Sequence, residues 1–216
     1  MGKGSEKYSI TVKGQELAEE LRVFKGWALG VTVAARGGAH TMGAPLTERM
    51  TISEELSQKL YGVSTASNPD TYEGKAKLVA YYERFHAVLD ALGICFFTSN
   101  WMGPELLSPA DYTVLHNLAT GQNLTEDDLM MIGERIHNLE KIFNIRHADF
   151  GRNDDYPPER LFNEPTTGSQ SGLRLDQEKW SELLDEYYDL HGWERGNGFP
   201  KKETLIRLGL PDLVAP

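Results

Sequence analysis

The sequence predicts a mainly α-helical fold preceded by one short strand. Apolar residues recur at three- and four-residue steps in several segments, caps and glycine stops bracket those segments, and two-residue alternation is confined to the opening of the chain. That opening sets Tyr8, Ile10 and Val12 against Ser9, Thr11 and Lys13, and Gly14 ends it. A lone strand leaves unpaired N–H and C=O groups, and no other convincing strand follows. Residues 1–15 are therefore expected to be the terminal strand of a preceding domain, and residues 16–216 a helical region.

The helices follow in order. Val23 to Ala35 is apolar or small nearly all round, as in a buried helix. Ser53 is an N-cap for a helix through Leu60, with Gly62 beyond it. From Gly74, residues Leu78, Tyr82, Phe85, Leu89 and Leu92 make one apolar face that Gly93 stops. Ser108-Pro109 opens a helix closed by Gly121. Thr125 with Asp128 forms a capping box, and Leu129, Ile132, Ile136, Leu139 and Phe143 follow on one stripe. Residues 156–172 are rich in Pro, Gly, Ser and Thr and read as a long surface loop. Asp176 caps a helix with Trp180, Leu183, Leu184 and Tyr187 inside, ended by Gly192, and a last short helix spans about Lys201 to Leu208. The four tryptophans, Trp27, Trp101, Trp180 and Trp193, are read as core anchors.

Composition narrows the function. The 216 residues carry 32 acidic and 22 basic side chains, a formal net charge of −10, which argues against a nucleic-acid partner. No apolar run is long enough to span a membrane, and the N-terminus has no signal core, so the expected compartment is the cytoplasm. The single cysteine, Cys95, can make no internal disulfide and no site of several thiolates within this chain.

Few residues point to chemistry. Asp90 lies in the last turn of its helix, where the dipole is negative and a carboxylate costs roughly 0.3–1 kcal/mol unless donors compensate. A ring with paired N–H donors, such as a pterin, would suit its two oxygens; an exposed Asp at a helix end is the plainer reading. Cys95 is either a buried small hydrophobe or a thiolate stabilised by a bound cation. In Arg36-Gly37-Gly38-Ala39-His40 the glycines would let backbone approach a ligand, Arg36 would hold an anionic group and His40 would move a proton. A Gly-Gly turn with a surface arginine explains that segment equally well. His86, at the edge of an apolar stripe, His116 and His137, on helical surfaces, and His147 are read as structural, with no spacing suited to zinc. Asp154-Asp155 is read as capping or solvating the loop before Pro157. No catalytic triad, phosphate loop or dinucleotide fingerprint is present.

These pieces together resemble the C-terminal portion of the aldehyde ferredoxin oxidoreductase family, the tungsten or molybdenum pterin enzymes, from about Tyr8 to Leu213. The resemblance rests on Ile10-Thr-Val-Lys-Gly14, on Ala35-Arg-Gly-Gly-Ala-His40, and on Gly74-Lys75 followed by Val88-Leu-Asp90-Ala-Leu-Gly-Ile-Cys95. Downstream it rests on Gly133 to Glu140, Phe143-Asn144-Ile-Arg146, Asp154-Asp155, Pro158-Glu-Arg160, Leu184 to Tyr188, Gly192-Trp193 and Leu208-Gly-Leu210. The segment after Arg146 departs from the family pattern by one residue, and Ile94 stands where leucine is usual.

The resemblance implies a tungstopterin or molybdopterin held as a bis-pterin beside a 4Fe–4S cluster. It implies Cys95 as the fourth cluster ligand, with the other three cysteines in an N-terminal portion that this chain lacks. It implies that Asp90 binds the pterin, that Gly93 and Ile94 make backbone contacts to it, that Arg36 touches the cofactor, and that His40 is catalytic in proton transfer. The implied activity is oxidation of a small aldehyde to a carboxylic acid with ferredoxin as electron acceptor, and a homodimer is compatible with it. The fragment alone is expected to be inactive, with a concave, partly apolar surface beside Asp90 and Cys95. Two other readings stay open: a same-family tungsten reductase of aromatic acids or thioesters, and a non-catalytic helical subunit.

Overall fold

The structure, a computed structural model, describes residues 3–5 and 8–213. Seven of the eight α-helices among the described residues lie where periodicity and caps place them. The eight are α1 (Lys25–Val33), α2 (Glu54–Tyr61), α3 (Lys75–Leu92), α4 (Pro109–Thr120), α5 (Glu126–Ala148), α6 (Arg160–Asn163), α7 (Gln177–His191) and α8 (Lys202–Arg207). The hydroxyls of Ser53, Ser108 and Thr125 accept the expected N-terminal amides, the capping box of Thr125 with Asp128 is formed, and Ser108 makes a second one with Asp111. Gly62, Gly93, Gly121 and Gly192 end their helices in the left-handed region.

The opening differs from expectation. Its strand is short, β1 (Thr11–Val12), and it has a partner, β2 (Gln15–Glu16), paired Thr11 to Glu16 and Val12 to Gln15. Lys13 and Gly14, at φ 51° and 77°, form the two-residue turn. Alternation missed the second strand because it is only two residues long and exposed on both sides. Of the three residues expected to be inward, only Val12 is buried; Tyr8 and Ile10 are exposed. The stretch 156–172 also differs: it contains α6, whose Leu161 and Phe162 enter the core.

The main core joins Trp27, Leu29, Leu78, Tyr82, Trp101, Leu183, Tyr187 and Trp193, and all four tryptophans are buried. A smaller cluster of Phe85, Val88, Leu89, Tyr112 and Leu129 lies under α4 and the start of α5. Every residue of α1 is buried. Its first turn has no side-chain cap of its own, and the carboxylate of Glu48 serves instead, accepting from Gly26 N at 3.0 Å and Trp27 N at 2.6 Å. Lys75 Nζ, 2.9 Å from Glu48, balances that buried charge.

The largest surprise is the rotation of α5. Leu129 is buried, but Leu139 and Phe143 at the end of the expected apolar stripe are 42% and 62% exposed. The side that faces α3 carries Gly133, Glu134, His137, Asn138 and Lys141. Each polar group there has a partner, which is the condition for burying it. Asn138 accepts from Trp193 Nε1 at 2.9 Å, and Glu134 pairs with Arg207. Lys141 Nζ is 2.9 Å from Asp155. Gly133 decides the rotation, because a β-carbon at that position would overlap the Arg84 carbonyl of α3.

Replacing Gly133 by Ala is expected to destabilise the chain by roughly 2–3 kcal/mol, the upper part of the usual overpacking range. The check is a lower urea midpoint at unchanged slope; an unchanged midpoint would contradict the tight crossing.

Candidate functional site

The end of α3 presents two candidate residues to solvent. Gly93, at φ 68°, turns the chain; its N–H donates to Asp90 O at 3.1 Å and the Ile94 N–H to Leu89 O at 2.9 Å. Those bonds satisfy the last carbonyls of the helix. Ile94 then packs inward against the smaller core and Phe96 against His86 and Trp101. The residue between two inward anchors must point outward, and Cys95 is exposed. A β-carbon on Gly93 would meet no atom within 4 Å, so the backbone there is open to an approaching group. Asp90 is exposed, and its carboxylate has no hydrogen-bond partner among the described residues.

Arg36 stands across from Asp90. Together with Ala35, Thr41, Met42, Leu139, Glu140, Phe143 and Asn144 they line an open concavity of about 690 Å³. Its wall is apolar through Met42, Leu139 and Phe143, and its ionisable groups are one guanidinium and two carboxyls. Cys95 and His40 are not among its lining residues, although Thr41, next to His40, is. Partial burial raises the pKa of Asp90, and the Arg36 charge opposes this. Glu140 is pushed up to about 7, by burial first and by the negative charge of Asp90 second.

The two glycines after Arg36 do not face a ligand. Gly37 and Gly38, at φ 75° and 56°, lie against the hairpin backbone, where a β-carbon would press on Val12 O and Glu16 O. Their reason is close packing of β1 and β2 on this turn. His40 is half-buried, stacked on Trp27 at 5.4 Å, with Nδ1 2.9 Å from Glu19 Oε1. Glu19 also pairs with Arg49 at 3.1 Å.

Two sequence readings require correction. His137 is not on a helical surface. It is buried, stacked on Trp193, and with Glu83 and His191 it forms a group whose ligating atoms lie within 4.8 Å of one another. Sequence spacing missed this group because its members come from three helices. Asp155 does not solvate a loop. It is buried with Lys13 Nζ at 2.7 Å, Lys141 Nζ at 2.9 Å and the Tyr188 hydroxyl donating at 2.6 Å. Burial would raise its pKa, but the two ammonium groups and the hydroxyl outweigh that and hold it at about 2. Glu140, Leu139 and Phe143 were not singled out as site residues. Their signal was an apolar stripe that turned out to face solvent.

Comparison with known proteins gives a consistent result. The family described as aldehyde ferredoxin oxidoreductase, domains 2 and 3, matches residues 1–210. A tungsten-containing aldehyde ferredoxin oxidoreductase of Pyrococcus horikoshii is 33% identical over 96% of this chain and 32% of its own length. That of Pyrococcus furiosus is 32% identical over 97% of this chain and 32% of its length. The chain thus spans about a third of the length of the curated relatives it matches. Among solved structures, the active-site complex of a benzoyl-coenzyme A reductase, bound to 1,5-dienoyl-CoA, shares the fold. Its TM-score is 0.70 at 23% identity, over 98% of this chain and 34% of that one.

The raised pKa of Glu140 fixes the sign of a pH effect. A carboxyl that holds its proton more tightly when folded favours the folded state at low pH, and that contribution is lost as pH rises through about 7. Glu140→Gln is therefore expected to raise Tm by a few degrees at pH 8 and by less at pH 5, read by thermal denaturation. An equal shift at both values would contradict it.

Proposed function

The chain belongs to the aldehyde ferredoxin oxidoreductase family, and from that premise we propose that it is the helical part of an enzyme that oxidises small aldehydes to carboxylic acids with ferredoxin as electron acceptor. The observation that carries the proposal is the exposed rim at the end of α3. It bears a carboxylate without a hydrogen-bond partner, an open glycine backbone and an exposed thiol within six residues, Asp90 to Cys95.

The donor set fits the groups this family implies. Asp90 would accept from the N–H edge of a pterin, with Gly93 and Ile94 as the close backbone and Arg36 on its polar periphery. Cys95 would be one of the four thiolates of a 4Fe–4S cluster, the other three coming from polypeptide outside this sequence, which has one cysteine. When bound, a tungsten or molybdenum bis-pterin would supply two-electron exchange with the aldehyde carbon, and the cluster a route for those electrons to ferredoxin.

The chain's own part is binding and proton handling. Glu19 at Nδ1 of His40 orients the ring and keeps a proton on that nitrogen. Nε2 is then the atom that takes a proton as water adds its oxygen to the aldehyde. Stacking on Trp27 fixes the plane of the ring. The Leu139 and Phe143 wall becomes dry when the remaining polypeptide covers it. On this reading the chain by itself is inactive. The fold it shares with a benzoyl-coenzyme A reductase does not select that substrate class.

Co-expression with a coding segment bearing a Cys-x-x-Cys-x-x-x-Cys run tests the proposal, with tungsten, molybdenum and iron measured in the purified complex. Cys95→Ala is expected to remove most of about four irons per chain while circular dichroism is kept. Full iron retention, or no metal in the unaltered complex, would overturn it in favour of a non-catalytic helical subunit.

A further inference from the structure

We propose that Glu83, His137 and His191 form a second metal centre, a buried site for one zinc-class divalent ion that pins α3, α5 and α7 together. The site is separate from the rim at Asp90 and Cys95. One ligand comes from each helix: Glu83 from α3, His137 from α5 and His191 from the last position of α7. All three are buried, and their candidate ligating atoms lie within 4.8 Å of one another.

The distances suit four-coordination. His191 Nε2 is 3.2 Å and His137 Nε2 3.7 Å from the same oxygen, Glu83 Oε2. Bonds of the zinc–imidazole length place tetrahedral neighbours about 3.3 Å apart. The Tyr187 hydroxyl stands beside the group, donating to the Glu83 oxygens at 2.9 and 3.0 Å and lying 3.1 Å from His137 Nε2, and it orients the carboxylate.

A second, independent observation points to an ion. Both ring nitrogens of His191 are buried without a hydrogen-bond partner. Buried polar atoms are normally satisfied, and one left bare costs roughly 1–3 kcal/mol. Glu83 Oε2 lies 3.2 Å from His191 Nε2 but out of line for a hydrogen bond. A cation between the three residues satisfies Nε2 of His191 and keeps the carboxylate charged. Burial otherwise drives Glu83 towards its neutral acid and both imidazoles well below their ordinary pKa. Neutral imidazoles are what a metal needs.

Nearby cations oppose positive charge at the two imidazoles, and each of them has a carboxylate close by that offsets part of its field. Lys13 and Lys141 are paired with Asp155, and Arg84 lies 3.6 Å from Glu134. Trp193 stacks on both imidazoles, at 5.5 Å from His137 and 4.8 Å from His191, fixing their planes. Two imidazoles and a carboxylate are a set that zinc takes elsewhere in open catalytic sites; here the burial of all three residues closes the site and gives the ion a structural role.

The test uses the chain as given, stripped with chelator and titrated with Zn(II) and Co(II). One equivalent is expected to bind, to raise Tm, and with Co(II) to give the intense visible absorption of a four-coordinate site. His191→Phe keeps an aromatic ring on Trp193 and is expected to weaken binding at least about tenfold and abolish that absorption. Glu83→Gln serves the same purpose if the first variant does not fold. Absence of binding and of any Tm change in the folded parent, or a cobalt spectrum unaltered in a folded variant, would overturn the proposal. Neither outcome bears on iron at Cys95.

Discussion

The contact on which the rest depends is the close crossing of α3 and α5 at Gly133, where only a hydrogen atom fits against the Arg84 carbonyl. The crossing fixes which side of α5 is inside. Once Gly133 faces α3, His137 and Lys141, four and eight residues on, share its side, and Asn138, four residues after the buried Glu134, lies beside them. Leu139 and Phe143 are left exposed and line the concavity with Arg36 and Asp90. The buried polar layer and the exposed apolar wall are two results of one steric constraint.

Three of the buried carboxylates, Glu48, Asp155 and Glu83, are compensated in different ways. Glu48 caps the first turn of α1 and pairs with Lys75, so helix dipole and ammonium both compensate it. Asp155 takes two ammonium groups and a phenol, and by joining Lys13 to Lys141 it ties the hairpin to α5. Glu83 is as deeply buried, in contact with a phenol and two imidazoles, and among the described residues no lysine or arginine is paired with it, although the charge of Arg84 acts on it. The first two carry their compensation within the chain. The third does not, and this contrast singles it out.

The rim at the end of α3 is built differently from the core. Its backbone is rigid, because the Gly93 turn closes its hydrogen bonds and Ile94 and Phe96 anchor either side of Cys95. Its side chains, by contrast, face open space. Rigid backbone with uncommitted side chains is what a site completed by another component requires. The chain spans about a third of the length of the relatives it matches.

The amino-acid sequence by itself determined the helices, because caps, glycine stops and apolar spacing are local properties. Ser108 with Pro109, Thr125 with Asp128 and Gly93 act within one turn of chain, and the structure places them as their residue types require. The order of Asp90, Gly93 and Cys95 likewise fixed their nearness on one helix end. Only the tertiary structure decided which face of α5 is buried, that Gly37 and Gly38 pack against a hairpin, and that Glu83, His137 and His191 meet. The physical reason is common to all three. Each depends on atoms more than one element away, and local periodicity carries no information about what a helix will be packed against.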